Sequence, residues 1–178
     1  VEDDGTYSSP IENPNRRFFT MLGTLIRGRI TVAATAGAAS RKALAIATRY
    51  GLVRRQFDAP GDEEEIVILD YLGHQRKLLP LIAKSYAIAF AQNELTEELH
   101  EVQSDTPTES PDGSSDDSKA GRQRELEANA AGLKAYATWH ASHAINVARE
   151  ACGGAGYLDE NQLSIMRGDI DVFTTFEG

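Results

Sequence analysis

The chain has 178 residues, with 18 Lys and Arg against 27 Asp and Glu, a single Cys and a hydrophobic share of 41%. That length and apolar content suit one domain with a sizeable core, while a net charge of −9 argues against nucleic-acid binding, which wants a basic stripe. One Cys excludes a disulfide framework and a thiolate metal site; no apolar run approaches the ~18 residues of a membrane span, and no signal-peptide pattern opens the chain, so a soluble, intracellular globular protein is expected.

Val1 to Asn15 holds Gly5, Pro10 and Pro14 without a helical period and reads as an extended lead-in over 1–15. From Arg16 onward, Phe18, Leu22, Leu25, Arg29, Ala33, Ala36, Ser40, Ala43, Ala47 and Tyr50 recur at helical spacing. They predict one long helix whose Ala-rich face is interior. Gly51 is placed to stop it, and Pro60-Gly61 to turn the chain. A second helix is predicted to begin near Asp62 to Glu65, where acids suit the positive end of the helix dipole. Its apolar series is Ile68, Tyr71, Leu72, Leu78, Leu79, Ile82, Tyr86 and Ala89, and Pro80 within it predicts a bend.

The acidity is local. Nine acids and no Lys or Arg fall between Tyr86 and Ser118, and the rest of the chain is electrically balanced. Gln103 to Ser118, with two prolines, one glycine and five serines, buries too little apolar surface to offset its ordering entropy. A solvated, disordered loop is predicted over about 100–121. A third helix follows from about Arg124, lined by Leu126, Ala130, Leu133, Ala137, His140, Ala144, Val147 and Ala151, and stops at Gly153-Gly154-Ala155-Gly156. Gln162 to Phe176 is a shorter helical piece. With no strand alternation or repeat in sight, the fold class is all-α: an up-and-down helical bundle over 16–178, one groove left open for a missing helix or a partner chain.

Three places can carry chemistry. Arg54-Arg55-Gln56-Phe57 closes the first long helix, where guanidiniums either grip a phosphate by forked hydrogen bonds or simply offset the helix dipole. The glycines at 153, 154 and 156 either admit a ligand close to the backbone or only terminate a helix; no strand precedes them, which excludes a dinucleotide fingerprint. Glu177, in Phe173-Thr174-Thr175-Phe176-Glu177-Gly178, is either a desolvated base beside aromatics or an ordinary surface acid. His140 and His143 stand one turn apart without a third ligand, so packing within the bundle is expected and no metal. Trp139 and Cys152 read as packing residues.

These signals fall in one order: Asp4-Gly5-Thr6-Tyr7, Met21-Leu22 with Gly28-Arg29, Arg54-Arg55-Gln56-Phe57, Leu69-Asp70-Tyr71, Gln75, Lys77-Leu78 and Pro80. Ala131-Gly132-Leu133-Lys134, Arg149-Glu150-Ala151-Cys152-Gly153-Gly154-Ala155-Gly156-Tyr157 and Asp169 to Gly178 complete it. In this order the chain resembles the central helical part of a flavin-dependent acyl-CoA oxidase, within the wider acyl-CoA dehydrogenase superfamily. The resemblance implies the C-terminal bundle of that superfamily without its last helix, an acyl-CoA substrate, and a homodimer with FAD at the subunit interface.

It implies that Glu177 is the general base for the α-proton of the thioester, with Gly178 leaving room for substrate. It further implies that Arg54, beside Phe57, holds the pyrophosphate of the partner subunit's FAD, and that Glu150 to Gly154, including Cys152 and Gly153, lies against its adenosine. Where the family has Gln beside an aromatic this chain has Leu72, and Gln75 is the substitute flavin contact. Hydride passes to the flavin and then to O2, giving trans-2-enoyl-CoA and H2O2. The alternatives are a dehydrogenase that passes electrons to a flavoprotein, and a non-catalytic dimerisation module. A helical domain and a β-domain are expected before Val1 and a further helix after Gly178, so this stretch alone is expected to bind FAD weakly or not at all and to lack oxidase activity. The compartment implied is the cytoplasm for a bacterial protein and the peroxisomal matrix for a eukaryotic one.

Overall fold

The computed structural model describes residues 2–58, 60–61, 64–104 and 114–177, with backbone alone for 114–120. It is a helical bundle. Helix α1 spans Pro14–Leu22 and α2 spans Leu25–Val53, so the single long helix expected from Arg16 is two, interrupted at Gly23-Thr24. The start lies earlier than read because the Asn13 side chain accepts from the Asn15 and Arg16 amides while Pro14 opens the first turn. None of α1 is buried, and Phe18, Phe19 and Met21 are exposed. Gly51 does not stop α2. It is buried, and a Cβ there would stand 3.4 Å from both His74 Nε2 and Leu69 Cβ, so the glycine serves close approach of the segment that leads into the next helix.

The fold is all-α as expected, and the connection after α2 adds one short hairpin to it. Strand β1 (Arg55–Asp58) pairs antiparallel with β2 (Glu65–Val67), with Arg55 opposite Val67 and Asp58 opposite Glu65. Helix α3 therefore begins at Leu72, not near Asp62, and runs through Pro80 to Ser104. Its buried face is Leu78, Leu81, Ser85, Ile88, Leu95 and Val102, whereas Leu72, Leu79 and Tyr86 of the expected apolar series are exposed. Helix α4 runs Ser114–Ala151, beginning ten residues before Arg124. Both helices thus extend into the acidic stretch read as a loop over 100–121, and 105–113 fall outside the described residues. Helix α5 is Leu163–Asp171.

The core is a seam of small side chains. Ala33, Ala36, Ala43 and Ala47 of α2 are fully buried, as are Ala137, Ala141, Ala144 and Ala148 of α4. Residues this short let two helix axes come to the near end of the usual ~8–10 Å range. Leu78, Leu81 and Ile88 of α3 and Leu163 and Ile170 of α5 join this cluster, and Ile26, Ile30, Leu95, Val102, Leu126 and Ala130 form a second one farther along. Trp139, expected to pack, is instead 72% exposed.

His140 does pack. Its Nε2 lies 2.8 Å from Ser85 Oγ, and Ser85 is 3.4 Å from Ser40 Oγ, so one buried polar row crosses all three long helices. Burial first, then Lys84 and His143, hold His140 below its ordinary 6.5. The folded state therefore prefers the neutral ring, and stability is full above that value and falls as pH drops through the depressed one. Thermal unfolding of the full-length protein at about pH 7.5 and 5.5 should show this loss, and H140Q should reduce it. Ser85→Ala removes the ring's partner and should cost about 1–3 kcal/mol at the higher pH.

Candidate functional site

The first site lies where α2 ends. Arg54 caps that helix in extended conformation, its amide bonded to the Tyr50 carbonyl, and lines a cleft of about 440 Å³ with Phe57, Tyr71, His74, Cys152, Gly153 and Gly154. The two neighbouring guanidiniums are not equivalent. Arg55 is committed to the hairpin, 3.3 Å from the Glu64 carboxylate and 2.8 Å from the Glu65 carbonyl, so Arg54 is the one turned to the cleft. Tyr71 Oη donates to the Gln56 carbonyl at 2.8 Å and pins the hairpin beside it, while Phe57 takes the left-handed φ of 65° and is 67% exposed.

The opposite wall is the turn after α4. Gly153 has φ of 55°, and a Cβ on Gly153 or Gly154 would meet nothing within 4 Å, so their backbone faces open space. Gly156 has the reverse reason to be glycine: a Cβ there would collide with the Arg149 carbonyl. The Arg149 guanidinium stacks 4.4 Å above the Tyr157 ring and braces the turn from beneath. Cys152 is 2% exposed and burial pushes its thiol up, which makes it a packing group and not a nucleophile. An uncommitted guanidinium facing approachable glycine backbone is a donor set for a phosphorylated ligand, and it fits the pyrophosphate and adenosine end of FAD.

Gln75 is not in this cleft. Its Nε2 donates to the Leu69 carbonyl at 3.0 Å, holding the turn that precedes α3. His74 is, and its Nε2 is buried with no partner, with burial and then Lys77 lowering its pKa.

The second site is at the other end of α2. Glu177 ends a tight turn that follows the 3-10 segment Val172–Thr174, and adopts the left-handed φ of 64°, which costs a non-glycine residue ~1–2 kcal/mol. Arg29 Nε donates to the Glu177 carbonyl at 2.9 Å. The carboxylate rests on Gly28, where a Cβ would come within 2.6 Å of the Glu177 Cδ, and Oε2 is buried without a partner. One carboxylate oxygen is thus buried without a partner, an arrangement that can accept a proton. Gly178 lies outside the described residues. At 1.5 Å per residue, Gly28 and Arg54 stand about 39 Å apart along one helix.

The family model described as "Acyl-CoA oxidase, C-alpha1 domain" matches residues 22–178, all of the bundle from α2 onward. The chain belongs to the acyl-CoA oxidase family. Curated relatives include the peroxisomal acyl-coenzyme A oxidase 3 of Arabidopsis thaliana, 39% identical over the whole chain and 24% of that protein. The peroxisomal acyl-coenzyme A oxidase 3 of Homo sapiens is also 39% identical, over the whole chain and 25% of its own length. Among solved structures, acyl-CoA oxidase 1 of Yarrowia lipolytica superposes with a TM-score of 0.84 at 36% identity, covering all of this chain and 26% of that one. Acyl-CoA oxidase 1 of Caenorhabditis elegans, solved with FAD and ATP, does so with 0.77 at 30%, covering all of this chain and 23% of that one. The chain thus spans about a quarter of the length of these acyl-CoA oxidases.

Within this oxidase bundle, Arg54, Phe57, Cys152, Gly153 and Gly154 converge on one cleft, while Glu177 stands apart from them. His74 and Arg29 are the groups at these sites to which sequence reading gave no role. Both had signals, a basic side chain directly before Gln75 and one directly after Gly28, but neither signal named a partner.

Proposed function

We propose that the full-length protein is an FAD-dependent acyl-CoA oxidase acting in fatty acid β-oxidation, with Glu177 as its base. The observation that carries the reading is the carboxylate held in a strained turn against Gly28, at the far end of the helix that presents Arg54. When bound, FAD supplies the acceptor for the hydride that leaves the β-carbon, and its reoxidation by O2 yields H2O2. Glu177 takes the α-proton; the C–H electrons become the new C2–C3 π bond, and the sum is acyl-CoA plus O2 to trans-2-enoyl-CoA plus H2O2. Proton loss from such a weak acid needs the thioester carbonyl polarised, and the Glu177 amide is the chain's own donor for that oxygen, with Gly178 beside it leaving room for substrate.

Arg54 and the Gly153-Gly154 backbone hold the pyrophosphate and adenosine, with Phe57 and Cys152 lining the same cleft. About 39 Å is far more than the ribityl chain that joins a flavin ring to its pyrophosphate, so one chain's Glu177 and Arg54 serve different flavins. A homodimer with FAD at the subunit interface satisfies both ends, and the acyl-CoA oxidase of Caenorhabditis elegans was solved with FAD. Two of the relatives are named peroxisomal, and the peroxisomal matrix is the compartment we assign. Among the described residues no helix is long and apolar enough to cross a membrane.

The test uses the full-length protein. It should purify with bound FAD, and anaerobic palmitoyl-CoA should bleach the flavin. Admitting air should then give one H2O2 per enoyl-CoA. Dye reduction without O2 uptake would assign a dehydrogenase instead, and absence of bleaching would reject the function.

A further inference from the structure

We propose that Gly28 and Arg29 are positioning residues for the base: the glycine is the notch that receives the Glu177 carboxylate, and the guanidinium is the strap that holds its main chain. The inference rests on the reading of Glu177 as the base and adds the device that aims it. The geometry is specific. Arg29 Nε donates not to a side chain but to the carbonyl of Glu177 itself, at 2.9 Å and across 148 residues of sequence. That carbonyl belongs to a residue with a φ of 64°, a conformation that an L side chain rarely adopts unless something outside the turn holds it. On the other side of the residue, the space a Gly28 Cβ would occupy is taken by the carboxylate, 2.5 Å from Oε2 and 2.6 Å from Cδ.

The support is rigid. Ile26 and Ile30, which flank the pair on α2, are 4% and 5% exposed and belong to one buried cluster, so the register of this turn of helix is fixed. A second strap comes from α4, where the buried Lys134 donates to the Thr174 carbonyl at 3.4 Å, three residues before Glu177. The turn is therefore tied to two helices through its main chain, leaving the carboxylate without a partner on Oε2. This suits a carbon-acid base, because the Arg29 bond fixes position through the backbone and leaves the carboxylate oxygens for the substrate proton. Arg suits the task better than Lys, since its planar fork fixes direction as well as charge.

The experiment uses the full-length FAD enzyme and variants R29Q, R29K, G28A and E177Q. The readout is exchange into D2O of the α-protons of a 3-thia-acyl-CoA, in which sulfur at the β position leaves no hydride to transfer. FAD content and thermal midpoint are measured alongside, and turnover with palmitoyl-CoA gives kcat and KM separately. R29Q and G28A should slow exchange and kcat together by about 10- to 100-fold, the size of effect that an ångström-scale misplacement produces. KM, FAD content and thermal midpoint should stay near wild type, and R29K should recover part of the loss. Wild-type exchange in R29Q and G28A, with E177Q inactive, would overturn the positioning role and leave the base intact. Losses that only track FAD content or melting would overturn it too, by making the pair structural. Wild-type exchange in E177Q would remove the base reading and this inference with it. Should R29Q lose its FAD, G28A, which leaves the strap in place, carries the test.

Discussion

Under the proposed function, dimers that pair a Glu177→Gln subunit with an Arg54→Glu subunit should regain about half of wild-type turnover, although each variant alone should be inactive. The value follows from two-fold symmetry. If each flavin takes its base from one subunit and its pyrophosphate clamp from the other, the mixed dimer has one site with both defects and one with neither. Co-expression of two differently tagged full-length chains, followed by tandem purification, isolates the mixed species. The reciprocal arrangement sharpens the result: a subunit carrying both substitutions, paired with a wild-type subunit, should be inactive, because each site then holds one defect. An enzyme whose base and clamp served the same flavin would give the opposite pattern, none in the first pairing and half in the second. The expectation comes from the length of α2 alone, since about 39 Å of helix separates the two groups.

The Glu177→Gln homodimer, for its part, should lose turnover by about 10²–10⁴-fold, the range for removing a positioned general base. Gln keeps the size of the side chain, the backbone turn and the carbonyl that Arg29 holds, so the protein should still bind FAD and acyl-CoA. The expected signature is a fall in kcat with little change in KM, and a flavin that stays oxidised when acyl-CoA is added without air. Normal bleaching in this variant would mean that another group takes the proton.

How far the sequence foretold this architecture depends on the range of the interaction involved. The Ala period of α2 and α4 was legible because a buried helix face repeats every few residues and needs no knowledge of its partner. Arg54 and the glycines were visible as a helix end and a helix stop, and they meet because α2 and α4 run parallel, which brings their C-terminal ends together. The hairpin was not visible: strands of four and three residues carry no readable alternation, and the acids from Asp62 to Glu65 mimic a helix start. The face of α3 was misread since Leu72, Leu79 and Tyr86 form an apolar stripe of their own, which the bundle leaves outside. Gln75 was assigned by a family position, and its hydrogen bond to Leu69 is a local one. Arg29 lay in plain view, yet a guanidinium's partner 148 residues away cannot be inferred from spacing.

The alanine seam between α2 and α4 has a mechanical consequence. Because one stiff rod carries the support of Glu177 at one end and Arg54 at the other, the two ends cannot drift independently. An added methyl group at Ala43 or Ala141 would wedge the rod away from its bed, and a lesion touching neither Glu177 nor Arg54 would be felt at both. Side-chain size in the middle of this helix is thus a shared tolerance for both of its ends, which leaves the seam less freedom to vary than its plain chemistry suggests.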